Sequence, residues 1–319
     1  MITCREKVLG SGCDSRQTRE LAEGVVRFRF GLKAIAAVIL LLFGFTLTGG
    51  PAMAFTEGSS NNFFGIGAGS SNTGDHNNAF FGALTGYSNT TGYNNAFFGA
   101  VAGYSNTTGE NNAFFGAGTG TSNTTGYYNA FYGGNSGYSN TTGHSNAFFG
   151  LNAGHDNTTG YWNALFGAHA GFSNTTGYHN AFFGLHAGYS NTTGYQNAFL
   201  GGHAGNYNTT GYHNAFFGGF AGDSNTVEDD NTFVGHNADL DPGSDPATQP
   251  VQNATAIGAD AYVSRSNSLV LGSIAGVNGA VASVNVGIGT PAPERQLHLK
   301  GNNACFRMDR NADTAAFIL

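Results

Sequence analysis

From Asn61 to Ala238, apolar and polar positions follow one rule: an aromatic pair closed by Gly, then a stretch rich in Gly, Asn and Thr, close to NAFFGxxAGYSNTTGYx. The block recurs every 17 residues without a gap. Its closing glycines are Gly65, Gly82, Gly99, Gly116, Gly133, Gly150, Gly167, Gly184, Gly201, Gly218 and Gly235. A fixed short period marks a solenoid, whose units contact only their neighbours. The glycines in each block oppose helix, whereas NAFFG reads as a short strand. AG and NTTG read as turns, because Gly accepts positive φ and Asn and Thr bond the local backbone. The pattern predicts an all-β fold, a parallel β-solenoid or β-roll. Each block is expected to form one coil of two short strands and two corners, with coils about 4.8 Å apart.

Alternation sends the aromatic pair to opposite faces. One row is Phe64, Phe81, Phe98, Phe115, Tyr132, Phe149, Phe166, Phe183, Leu200, Phe217 and Val234; the other is its neighbour at each position, from Phe63 to Phe233. A thin coil has a single interior, and a second aromatic row left in water is a long adhesive stripe. The expectation is one row inside the coil and the other in a subunit seam, in a homotrimer.

The first 54 residues read as a leader. Arg27, Arg29 and Lys33 precede the apolar run 34–47, and Pro51-Ala52-Met53-Ala54 offers a small-x-small site, which predicts a Sec-type signal peptide cut after Ala54. The apolar run is shorter than the roughly 20 residues a span requires, so no membrane anchor is expected once the signal is cut. The chain is expected to be secreted or held at a bacterial cell surface. Between Lys33 and Arg265 there is no Lys or Arg. Phosphate backbones are held mainly by those residues, so nucleic acid is excluded as a partner. Cys305 is the one cysteine after the leader, which rules out an internal disulfide framework in the exported chain.

After the array, residues 239–253 are rich in Pro and Asp and read as a linker. Glu228, Asp229 and Asp230 read as a solvated charged cap on the last coil. The segment ATAIGADAYVSRSNSLVLGS (254–273) then places Gly258 and Gly272 14 residues apart, each after an apolar residue, Ile257 and Leu271. This resembles the head repeat of YadA-type trimeric autotransporter adhesins, and the 17-residue blocks resemble the same coil with a longer corner. The resemblance implies 14-residue coils over 254–290, in a β-roll shared by three chains. VNVGIGTPAPERQLHLKG (284–301) resembles the connector of phage-fibre and surface-fibre proteins, so 291–319 is read as a C-terminal connector. The ending Phe317-Ile318-Leu319 resembles the middle of a module, which implies truncation or completion by a partner. No heptad stalk or membrane-pore strands like those of complete trimeric autotransporters follow.

Three columns carry candidate chemistry. His169, His186 and His203 occupy one position in successive coils. Stacked imidazoles can bind Zn²⁺ or Ni²⁺, but Asn135, Asn152, Phe220 and Asn237 hold the same position elsewhere. A plain surface ladder is favoured over a metal site. Tyr93, Tyr127, Tyr161, Tyr178, Tyr195 and Tyr212, with Trp162 beside them, offer flat faces with polar tips to a glycan or a partner protein, or form a self-supporting ladder. The NTTG corner spells a glycosylation sequon at Asn89, Asn106, Asn123, Asn140, Asn157, Asn174, Asn191 and Asn208. Turn geometry and Asn stacking explain that recurrence better than sugar attachment. Acids in the array are scattered, with Glu110 and Asp156 nearly three coils apart, so paired-carboxylate catalysis is not expected. No cofactor is implied.

The function expected is that of a fibrous surface protein, an adhesin or extracellular structural element binding host or matrix surfaces by multivalency. The alternatives are a phage-type tail-fibre shaft, which would have no use for a signal peptide, and a metal- or glycan-binding β-roll module.

Overall fold

A computed structural model describes residues 60–74, 76–241, 250–276 and 280–301. The chain divides into two compact units, Met1–Ala52 and Met53–Leu319, and every described residue belongs to the second. The expected leader and signal peptide, and the last residues of the connector, lie outside the described residues.

The described unit is an all-β parallel solenoid. Each NAFFG segment forms a three-residue strand, from Asn62–Phe64 to Thr232–Val234; each pairs in parallel with the strand one block later, except that Thr232–Val234 pairs with Thr255–Ile257 23 residues on. The register is the repeat itself: Ala96 faces Ala113, Phe97 faces Phe114 and Phe98 faces Phe115. Thr255–Ile257 and Leu269–Leu271 continue the same sheet to 13 strands, so the shorter 14-residue coil stacks on the longer ones without a break.

Inside each coil lies one side chain from every strand. Phe80, Phe97, Phe114, Phe131, Phe148, Leu165, Phe182, Phe199, Phe216 and Phe233 are fully buried, with Ala102, Ala153 and their equivalents packed beside them. Neighbouring core rings lie face to face, with centroids 4.6–4.9 Å apart. Burying one large side chain contributes only about 1.5–3 kcal/mol. The rest of the cohesion comes from the polar interior described next.

Two columns of asparagine run inside the array. At the NTTG corner, Asn106 Nδ2 donates to Asn89 Oδ1 at 2.7 Å and to Gly109 O at 3.0 Å, and this repeats through Asn225. Ahead of each strand, the Asn95 backbone N–H donates to Asn78 Oδ1 at 2.9 Å, and Asn95 Nδ2 donates to Gly109 O at 2.8 Å. The two ladders thus converge on the corner glycine's carbonyl. Gly109 has no room for a side chain, because a Cβ would press on Asn106 Oδ1 and Gly126 O. Buried amides must be satisfied, and a strict repeat satisfies all of them in the same way.

The expected second strand of each 17-residue coil does not form. Each such coil has one strand, and its opposite flank is a run of turns. Leu84 and Gly86 and their equivalents sit near φ 55°, a left-handed geometry that cannot extend. The flank is still bonded between coils, as in Gly86 N–H to Ala102 O at 2.9 Å and Ser88 N–H to Tyr104 O at 3.0 Å.

The stretch read as a linker is partly built into the solenoid. Asp239–Leu240 forms a strand parallel to Tyr262–Val263, and Val251 is buried, its carbonyl accepting from Asn231 Nδ2. Residues 242–249 lie outside the described residues. The acids read as a solvated cap are likewise mostly interior: Glu228 and Asp229 are buried. Glu228 stands where other corners have Gly, and its carboxylate folds back to accept the N–H groups of Thr226 and Val227. Past the coils, Val286–Ile288 and Leu297–Leu299 form a separate two-stranded parallel sheet within the resembled connector.

Candidate functional site

What the solenoid presents outward is a set of ring columns. The first is the partner of the core row: Phe81, Phe98, Phe115, Tyr132, Phe149, Phe166 and Phe183 stack at 4.6–4.8 Å. Phe81, Phe183 and Phe217 keep 38–40% of their surface in solvent. In the single chain this row faces outward.

The tyrosine column stacks continuously over six coils. Tyr127, His144, Tyr161, Tyr178, Tyr195 and Tyr212 have centroids 4.6–5.2 Å apart and interplanar angles of at most 13°. Trp162 stands edge-on to Tyr161 at 5.2 Å and to His179 at 4.6 Å, and is 53% exposed. Tyr93 lies apart from that stack, because Glu110 occupies the next rung. A hydrogen bond to the Glu110 carboxylate holds the Tyr93 phenol above its ordinary range. At the other end Asp229 raises the Tyr212 phenol by its charge and accepts the Tyr212 backbone N–H at 3.0 Å.

His169, His186 and His203 do fall in one column, with neighbouring rings edge to face at 5.1 and 4.9 Å. The position is a backbone requirement. Every residue two after the closing Gly from Leu84 to Asn237 has φ between 53° and 70°. Asn and His enter this region more readily than most residues, which suits the run Asn135, Asn152, His169, His186 and His203. The crossed rings do not present a stack of ligating nitrogens. Among the described residues, no group of three His, Cys, Asp or Glu side chains is placed to hold a metal ion. His186 titrates below the usual imidazole range, first because it is partly buried and then because His203 and His169 flank it.

Beside this column the surface opens into a groove of about 480 Å³ lined by His169, His186, His203, Tyr189, Phe220 and Asp223, among others. Nothing in the repeat consensus announces it; its signal is the places where the consensus fails.

The sequons lie inside. Asn89, Asn106, Asn123, Asn140, Asn157, Asn174, Asn191 and Asn208 are fully buried, and the side-chain nitrogens are engaged in the corner ladder.

Among the described residues, no helix is long and apolar enough to cross a membrane. No protein-family model, curated protein or solved structure matches the chain.

Proposed function

We propose that this chain is an exported fibrous protein that acts at a cell surface as an adhesin or extracellular structural element, without catalysis of its own. The observation that carries the reading is the unbroken outer stack from Tyr127 to Tyr212, near-identical contact units every 4.6–5.2 Å. Contacts of millimolar strength gain orders of magnitude when many engage together. Tyr and Trp serve such contacts because each joins a flat apolar face to a polar tip.

The half-exposed outer Phe row supports a homotrimer in the manner of YadA-type heads, with that row meeting its copies. An apolar stripe running the length of an array is costly in water.

Binding of the mature chain to immobilised matrix proteins and glycans tests the function. Replacing Tyr161, Tyr178, Tyr195 and Tyr212 together by Ser should reduce retention far more than any single replacement. Equal retention of the quadruple variant would overturn the assignment of this face.

A further inference from the structure

One outer column consists of rings and then stops. Tyr138, His155, Phe172 and Tyr189 stack at 5.2, 4.9 and 5.2 Å. In the next two coils the same position holds Asn206 and Asp223. Two missing rings account for the groove of about 480 Å³, whose lining includes Tyr189 at the end of the ladder, Asn206 and Asp223 in place of further rings, and the exposed Phe220. Tyr207 also lines it, at a position that is Ser in most other coils. The departures from the repeat therefore converge on one place.

The groove also holds an unmet demand at each end, three coils apart. His169 Nδ1 and Asp223 Oδ1 are buried without a hydrogen-bond partner, and both residues line the groove. Elsewhere the array satisfies its buried amides rung by rung, and an orphaned buried polar atom calls for a missing partner. Burial holds the Asp223 carboxyl above its ordinary range, against the opposing pull of His203 and Asn206.

We propose that this groove binds one neutral saccharide ring at its Asp223 end, its C–H face against the aromatic lining and its hydroxyls on Asp223, Asn206 and His203. The volume lies within the roughly 300–1,000 Å³ of small-molecule sites. An anionic ligand would meet Asp223 and no Lys or Arg from this part of the chain, since none occurs between Lys33 and Arg265. A wholly apolar ligand would leave Asp223 Oδ1 without a partner. A sugar supplies an apolar face and vicinal hydroxyls together. The inference rests on the surface-binding reading and deepens it by naming a ligand class.

Saturation-transfer NMR on the mature chain tests it, with glucose, galactose, mannose, N-acetylglucosamine and N-acetylgalactosamine as probes. At least one sugar should receive saturation, with a Kd on the order of millimolar. The Asn206→Tyr/Asp223→Tyr variant extends the existing ring ladder into the groove and should weaken that signal about tenfold or more. Asp223→Asn keeps the shape, removes the charge, and should also weaken it, which decides the matter if the double variant misfolds. No transfer from any sugar, or equal transfer to the variants, overturns the proposal. So does calorimetry showing Zn²⁺ bound at Asp223 with no sugar bound. Loss of sugar binding with retained matrix binding in the double variant confirms the groove as a separate site. Sugar binding in a chain that fails to hold any surface leaves the groove standing and removes the adhesin reading.

Discussion

Asn157 Nδ2 donates to Asn140 Oδ1 at 2.7 Å, one full coil away, and both residues are completely enclosed. Asn140→Ala would strand Asn123 Oδ1 and one N–H of Asn157, since Asn140 also donates to Asn123 at 2.7 Å. Each orphan costs about 1–3 kcal/mol. Hydrogen exchange should therefore accelerate in the coils flanking residue 140 and much less near the ends of the array. Uniform protection would contradict the ladder.

The same enclosure bears on modification. When the folded chain is exposed to an oligosaccharyltransferase, intact mass should show no glycan increments at the eight corner asparagines, because their nitrogens are already engaged. Increments on a chain that keeps its β signature would refute this.

Two glycines separated by a few coils should respond oppositely. Gly116 has φ 140°, and a Cβ there would lie 2.7 Å from Gly133 O in the next coil. Gly116→Ala should unfold that region or push the stack apart. Gly202 carries no such φ, and its nearest neighbour would be 4.0 Å away. Several other coils have Ala at that position. Gly202→Ala should be neutral or stabilise by about 0.4–1 kcal/mol through the unfolded chain. Thermal melts of the two variants distinguish the cases.

The outer Phe row makes the trimer testable. Changing Phe98, Phe149 and Phe183 to Ser should shift sedimentation from trimer toward monomer while the far-ultraviolet β signal persists. A wild-type chain that sediments as a soluble monomer would remove the seam.

At the end of the 17-residue array, burial raises the Asp239 carboxyl from 3.8 to about 7, although it accepts the N–H groups of Ser224 and Leu240. Asp223 lies near enough to raise it further, and the Tyr262 phenol is raised in turn, first by burial and then by the charges of Asp239, Asp260 and Asp223. The folded state holds this proton while the unfolded chain releases it near pH 4. Its contribution is therefore present at low pH, falls as pH rises from about 4 to about 7, and is flat above. Linkage sets the size at up to about 4 kcal/mol. Denaturation of the wild type should show this decline, and Asp239→Asn should flatten it. An unchanged profile would place the titration elsewhere.

The 17-residue period makes the solenoid, the stacking direction and the aromatic ladders legible in the sequence. Which ring of each pair is interior was not readable, since Phe fills both Phe97 and Phe98. The Asn78 column was visible only as an Asn before every strand, and its bond to the next backbone N–H depends on register. The left-handed position was masked because Leu84 and Val101 share it with Asn and His, and Val is a poor choice there on steric grounds. That geometry also removed the expected second strand. Glu228 read as a surface charge because nothing local shows a carboxylate closing on the two N–H groups behind it. The groove escaped notice because it is made of absences, two rings that a repeat-based reading supplies without asking.

Because the ladder bonds run along the stacking direction, a pull on the two ends of the array would load them in series. Such a stack opens like a zipper, one coil at a time, each trading a rise of about 4.8 Å for a tether of 17 residues that extends to roughly 56–61 Å. A tether of this kind lengthens under load in discrete steps of roughly 50 Å, one for each coil.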